Sequence, residues 1–331
     1  LALSRGALFD DMALVKALKE KWIAGAGLDV FPQEPVPSNH PIFDCDTCVM
    51  TPHTSGWSPD RQVRLINVFA DNMRRYARGL PDRRRTGTLP AVFAPNATGA
   101  LKLVGESYPF TSGGRYLLTA DNHNSVNGIR RFASGRGAGV EYVPLTTPDL
   151  RIEREALSAC LKDRDPEKAN LLAFPAQSNF TGVKHPLEIV DQAQSLGWDV
   201  VLDAAAYVPT SRLDLTAVRP DFVSVSFYKM FGYPTGVGCL IAKKSALARL
   251  QRPWYAGGTV NFATVRGLIH LLAPNEAGFE DGTLNYLAIP AVELGLRHIA
   301  RTGIETIGER VRCLTGWLLE NLIAMAHSNG R

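Results

Sequence analysis

The chain has 331 residues, 45% of them hydrophobic and 21% charged, with a formal charge of +4. This is the composition of a soluble globular protein long enough for about two domains, and no run approaches the roughly 18–20 apolar residues that span a bilayer. The small positive excess sits largely in Arg74, Arg75 and Arg78 and in Arg83, Arg84 and Arg85, read as a solvated helix end and a linker. A nucleic-acid surface would need a wide basic face with stacking aromatics, so that class is excluded.

In chain order, Leu1–Gly6 lacks the basic start, apolar core and cleavage site of a signal peptide, and it has no initiator Met. The first residues are therefore expected to lie inside a longer element. Met12–Lys21 reads as a helix because Leu14, Val15 and Leu18 recur at helical spacing. Ala26–Phe31 and Cys48–Thr51 read as short buried strands, and Arg61–Leu80 as a long amphipathic helix. Cys45 and Cys48 have redox spacing, but no second pair accompanies them, so the spacing is read as chance. Five cysteines without a secretory signal suit a reducing cytoplasm. Pro, Gly and clustered arginine mark residues 81–90 as a linker between a first part, 1–80, and a second, 91–331.

Beyond the linker, strands are expected at Ala91–Ala94, Tyr116–Thr119, Val140–Val143, Leu171–Phe174, Val200–Asp203, Phe222–Ser226 and Gly238–Ala242. Helices are expected over Gly99–Glu106, from Asn124, and over Glu305–Ala326. This alternation predicts an α/β fold with a mostly parallel sheet flanked by helices. Gly135, Gly137 and Gly139 form a GxG-like run, but it precedes an expected strand. A pyrophosphate turn follows a strand and opens a helix, so the run is a decoy.

Two resemblances follow from quoted strings. Ser4-Arg5-Gly6-Ala7-Leu8-Phe9-Asp10, Gly25-Ala26-Gly27-Leu28-Asp29-Val30-Phe31-Pro32-Gln33-Glu34-Pro35 and Thr51-Pro52-His53-Thr54-Ser55-Gly56 resemble, in order and spacing, the NAD-binding domain of D-isomer-specific 2-hydroxyacid dehydrogenases. Hydride transfer to a 2-oxo acid needs a cation for the carboxylate and an acid for the proton. The resemblance assigns these to Arg5 and His53, with Glu34 raising the basicity of His53 and Asp29 near the nicotinamide. It implies a partial Rossmann-like segment. The Gly-rich phosphate turn and the substrate domain have no counterpart here, so NAD binding and dehydrogenase activity are not expected of it.

Pro175-Ala176-Gln177-Ser178-Asn179-Phe180-Thr181-Gly182, Leu202-Asp203-Ala204-Ala205-Ala206-Tyr207-Val208 and Ser226-Phe227-Tyr228-Lys229-Met230-Phe231-Gly232-Tyr233-Pro234-Thr235-Gly236 resemble fold-type I, class V aminotransferases. Within them the nearest likeness is to the molybdenum cofactor sulfurase and cysteine desulfurase branches. The residues also read without the family. A pyridoxal-5'-phosphate (PLP) enzyme needs a lysine for a Schiff base and a carboxylate at the pyridine nitrogen. Asp203 ends one apolar strand and Lys229 follows another, Phe222–Ser226, at the end where α/β folds place ligands. Phosphate needs backbone N–H groups at a helix start and short hydroxyls. Ala97 and Thr98 lie at such a start, with Ser226 as a second hydroxyl.

By resemblance, His123 would stack on the ring, Asn179 would bond its hydroxyl oxygen, and Thr283 would reach the phosphate in a partner subunit of a homodimer. Ala206 stands where desulfurases often carry Gln, so one polar contact is lost. Class V enzymes supply a carboxylate-binding arginine and, in desulfurases, a persulfide cysteine downstream of the large domain. No matching motif surrounds Cys160, Cys239 or Cys313, so cofactor binding is better supported than turnover. The expected activity is PLP chemistry on a small amino acid, L-cysteine by the nearest branch. The alternatives are the dehydrogenase and a non-catalytic fusion product. No metal site is expected.

Overall fold

The computed structural model describes residues 9–51 and 89–325. The chain divides into two compact units, Leu1–Ile66 and Asn67–Arg331.

In the first unit, α1 spans Asp11–Lys19. Asp10 caps it, accepting hydrogen bonds from the N–H groups of Met12 and Ala13 at 3.0 Å each, while Lys16 and Lys19 face the negative end of the helix dipole. The sequence reading carried this helix to Lys21. It stops earlier because Lys21 adopts φ 56, and the Lys21 and Trp22 N–H groups bond back to the Leu18 and Ala17 carbonyls. That is the Schellman ending, here built without glycine. β1 (Ala26–Leu28) and β2 (Cys48–Met50) pair in parallel. Val15, Leu18, Leu28, Ile42 and Cys45 form the small core beneath them.

In the second unit the chain runs through β3 (Ala91–Ala94), α2 (Ala97–Ser107), β4 (Arg115–Thr119), α3 (Asn124–Asn127), α4 (Ile129–Gly135) and β5 (Gly139–Val143). It continues through α5 (Arg154–Lys162), β6 (Asn170–Pro175), α6 (Ile189–Ser195), β7 (Asp199–Asp203) and β8 (Phe222–Ser226). Then come α7 (Tyr228–Phe231), β9 (Gly238–Ala242), α8 (Lys244–Arg249), β10 (Val260–Ala263), β11 (His270–Leu272), α9 (Ile289–Thr302) and α10 (Ile304–Ile323).

β3 to β9 form one seven-stranded sheet in the order β3-β9-β8-β7-β6-β4-β5. β9 runs antiparallel to both its neighbours, and the other pairings are parallel. β6, β8 and β9 are buried along their whole length, and β6 and β9 accordingly read as largely apolar runs, while β8 carries the buried serines Ser224 and Ser226. The GxG-like run closes α4 and leads into β5, so it opens no helix.

The order of the strands locates the ligand end. From β4 the chain steps outward to β5, then returns to β6 and proceeds the other way through β7 and β8. β4 and β6 are neighbours, so the topological switch point lies between them, and their C-terminal ends open a crevice there. The loops after β4, β6, β7 and β8 all leave from that edge of the sheet.

Glycine matters at two places beside this edge. A Cβ on Gly238 would lie 2.6 Å from both the Asn96 Cα and the Val225 carbonyl oxygen, so only glycine lets the start of α2 pack onto β9. Gly232 serves differently: it takes φ +80 to end α7 after a single turn, just beyond Lys229.

Candidate active site

A small cleft of about 130 Å³ opens at this edge. Its lining includes Ala97, Thr98, His123, Asn179, Asp203, Ser226 and Lys229. Five separate segments, spread over more than a hundred residues of chain, therefore converge on one cavity. Thr283 is the one residue of the second set that lies elsewhere. It lines a separate cleft with Lys102, Glu106 and Gly236.

Each side chain has a local reason for its position. Lys229 is exposed on the one-turn helix α7, whose start is anchored by Phe227: this ring is fully buried and stacks on Phe231 at 6.2 Å. Asp203 ends β7 at 7% exposure. Its Oδ1 accepts hydrogen bonds from the Ser224 hydroxyl at 3.0 Å and the Ala205 N–H at 3.1 Å. Holding the carboxylate thus does not consume Oδ2, and a buried carboxylate with spare acceptor capacity calls for a cationic or N–H partner. The small side chains of Ala205 and Ala206 leave room beside it.

At the start of α2, Asn96 caps the helix by accepting from the Gly99 N–H at 3.0 Å. The Ala97 N–H donates to Ser226 Oγ at 2.8 Å. Two of the helix's first amides are therefore already used inside the protein. This leaves the Thr98 amide and the hydroxyl protons of Thr98 and Ser226 as the donors for an anion. Ser226 can still donate while it accepts, so it links the helix start to the end of β8.

Below the cleft, Asp121 and His185 are both buried and joined by a 2.7 Å contact between Oδ2 and Nε2. Burial works to raise the Asp121 carboxyl, but the bond and charge of His185 outweigh it and hold the group below its usual range. Ser178 donates to the Asp121 carbonyl at 3.2 Å and accepts from the Phe180 and Thr181 amides, which shapes the loop carrying Asn179. The pair thus ties the loop after β4 to the loop after β6.

Ser125 and Gln177 also line the cleft, and neither is singled out by the sequence, although Gln177 lies inside the Pro175–Gly182 string. Gln177 Oε1 is buried without a hydrogen-bond partner among the described residues. An orphan acceptor at the wall of a cleft fits a ligand that brings a donor. The donor set as a whole fits PLP: an amine at Lys229, a carboxylate at Asp203, hydroxyl and amide donors at Thr98, and an amide side chain at Asn179.

None of the described thiols near this domain's core is poised as a nucleophile. Burial pushes Cys239 up, with the Glu280 charge adding to it, and partial burial together with the Glu141 contact pushes Cys160 up to about 11. Cys313 is exposed on α10. Among the described residues no three His, Cys, Asp or Glu side chains gather as a metal site, and no helix is long and apolar enough to cross a membrane.

In the first unit, Asp29 is buried and accepts from the Thr51 hydroxyl at 2.6 Å, and Glu34 Oε1 accepts from the Phe31 N–H at 2.8 Å. Arg5 and His53 lie outside the described residues, so the arrangement proposed for hydride transfer has only these two members on view.

Comparison with known proteins matches residues 88–329 to the aminotransferase class-V family model. Residues 1–55 match the NAD binding domain of D-isomer specific 2-hydroxyacid dehydrogenases. Molybdenum cofactor sulfurase 3 of Aedes aegypti is 37% identical over 266 residues, 74% of this chain and 33% of that protein. The chain spans 33–40% of the length of the first curated relatives it matches. Among solved structures, the cysteine desulfurase CsdA of Escherichia coli superposes with a TM-score of 0.67 at 22% identity, covering 80% of this chain and 64% of that one. The lyase C-DES, solved as a mutant with glycine covalently linked to its PLP cofactor, gives a TM-score of 0.65 at 19% identity, covering 82% and 71%. At these identities the structural likeness establishes the fold.

Proposed function

We propose that this chain, which belongs to the aminotransferase class-V family through residues 88–329, is a PLP-dependent enzyme of the molybdenum cofactor sulfurase-like type that acts on a small amino acid, with L-cysteine the first to test. The observation that carries the reading is the convergence of Lys229 and Asp203, from the ends of neighbouring strands, on one cleft that also receives the start of α2. When bound, PLP supplies an electron-accepting ring, provided that its pyridine nitrogen stays protonated.

The roles follow from the chain's own groups. Lys229 supplies the amine that holds the cofactor's aldehyde carbon. Asp203 would face the ring nitrogen and favour its protonated form. His123 would lie against the ring, and Asn179 would bond its hydroxyl oxygen. The Thr98 amide and hydroxyl, with the Ser226 hydroxyl, hold the phosphate. Thr283 addresses the phosphate of a second copy in a homodimer. The division into residues 1–80, a linker at 81–90 and residues 91–331 belongs to the same reading. All five cysteines are free, which supports a reducing cytoplasm.

Purified protein incubated with PLP is expected to show a visible absorbance band that is absent in Lys229→Ala. Wild-type protein without such a band would defeat the reading. The dehydrogenase-like segment sets a second arm. Asp29 and Glu34 bond within their own unit, and calorimetric titration with NADH is expected to be silent.

A further inference from the structure

We propose that Ser125 is a positioning residue that fixes the tautomer of His123 and couples that imidazole to Thr98 at the anion end of the cleft. Only the identity of the anion as cofactor phosphate rests on the functional reading above. The hydrogen-bond chain itself does not.

Three contacts carry the argument. The Ser125 N–H donates to His123 Nδ1 at 3.1 Å. Ser125 Oγ lies 2.9 Å from the same nitrogen. Thr98 Oγ1 lies 2.7 Å from Ser125 Oγ, across 27 residues of sequence. A backbone N–H can only donate, so Nδ1 is an acceptor and the neutral imidazole carries its proton on Nε2. A hydroxyl beside that acceptor donates to it, which commits the single Ser125 proton to Nδ1. Thr98 must then be the donor to Ser125 Oγ. The direction of the whole chain, Thr98 to Ser125 to His123, follows from one amide that cannot reverse.

The arrangement has a consequence for ligand binding. Thr98 has one hydroxyl proton, and an anion at the start of α2 competes with Ser125 for it. Hydrogen bonds in a chain strengthen one another, so turning that proton to the anion weakens the Ser125 bond at Nδ1. Occupancy at the helix start is thereby felt at the imidazole, without movement of the backbone. His123 is also the cap of α3, so its ring orientation is set by the same residue that reports the anion.

The test is NMR of histidine-selective 15N-labelled full-length protein, titrated with inorganic phosphate. His123→Gln assigns the resonance. The expected wild-type spectrum shows Nε2–H with an unprotonated Nδ1, and an Nδ1 shift that follows phosphate. Ser125→Thr should keep the response, whereas Ser125→Ala and Thr98→Val should lose it. In parallel, Ser125→Ala should bind PLP roughly three- to tenfold more weakly, the worth of one hydrogen bond, with Ser125→Thr restoring it. A wild-type Nδ1–H tautomer, no response to phosphate, or an undiminished response in Ser125→Ala would each overturn the proposal. Failure of wild-type protein to form the PLP band would overturn the cofactor reading alone, since the phosphate titration still decides the role of Ser125.

Discussion

At the scale of single residues, Asp203 offers the sharpest separation of structure from chemistry. Its Oδ1 is an acceptor for Ser224 and Ala205, and an asparagine oxygen can accept the same two bonds. Asp203→Asn therefore keeps the volume and the local bonds but removes the charge. A ring nitrogen facing a neutral amide loses the partner that kept it protonated. The expected variant folds, still binds PLP, and turns over roughly 10²–10³-fold more slowly, the usual size of one lost preorganised electrostatic contact. Steady-state kinetics on L-cysteine beside the cofactor absorbance measures both halves. Unchanged turnover in a variant that holds the cofactor would remove Asp203 from the ring nitrogen. Lys229 and Asp203 announce themselves at the ends of apolar strands, where charge needs a reason. Ser125 does not, because its significance comes from a residue 27 positions away.

At the scale of elements, β3 depends on a carboxyl that is costly to ionise. Glu280 follows a 3-10 turn at Asn275–Phe279, and its Oε1 accepts from the Phe93 N–H of β3 at 2.9 Å. It is 3% exposed, and Oε2 has no partner among the described residues. Burial raises the carboxyl from 4.5 to about 7, against the lowering effect of the Phe93 N–H and with the Glu276 charge adding to the rise. Between those two values the folded state keeps a proton that the unfolded chain has released. The contribution is full below pH 4.5 and is lost as pH rises to 7, by roughly 3 kcal/mol at most. Glu280→Gln should flatten this dependence and be the more stable protein at pH 8. Thermal unfolding of both proteins at pH 5 and pH 8 checks it, and parallel pH slopes would refute it. Elements around this site differ in how far the sequence shows them. β3, β8 and β9 have the bounds read from the sequence: β3 and β9 are apolar runs, and the two serines of β8, Ser224 and Ser226, are themselves buried. β10 and β11 were not read at all. Val260–Ala263 and His270–Leu272 bury little, so neither alternation nor an unbroken apolar run marks them.

At the scale of the whole molecule, that unread hairpin raises the question of assembly. Val265 and Leu268, in the turn between β10 and β11, are fully exposed, and Phe262, Ile269 and Leu271 are more than half exposed beside them. Five apolar side chains on one small hairpin make an exposed patch of the kind that marks an interface. The cleft containing Thr283 gives assembly a chemical purpose. Thr283 stands apart from the cleft of Lys229 in its own chain, so its expected service to a phosphate requires a second copy. The loop that carries it is held from within: the buried Arg252 pairs with Asp281 at 2.6 Å and lies over the Trp254 and Phe279 rings. A preformed loop and a nearby apolar hairpin together fit a symmetric contact, in which each copy completes the other. Sedimentation of wild-type protein should therefore give twice the chain mass, and Val265→Glu combined with Leu268→Glu should give the chain mass. If Thr283 acts across that contact, the double variant should also hold PLP more weakly, and Thr283→Ala should weaken it without dissociating the dimer. A monomeric wild type that binds PLP as tightly as Thr283→Ala would show that each cleft is complete within its own chain.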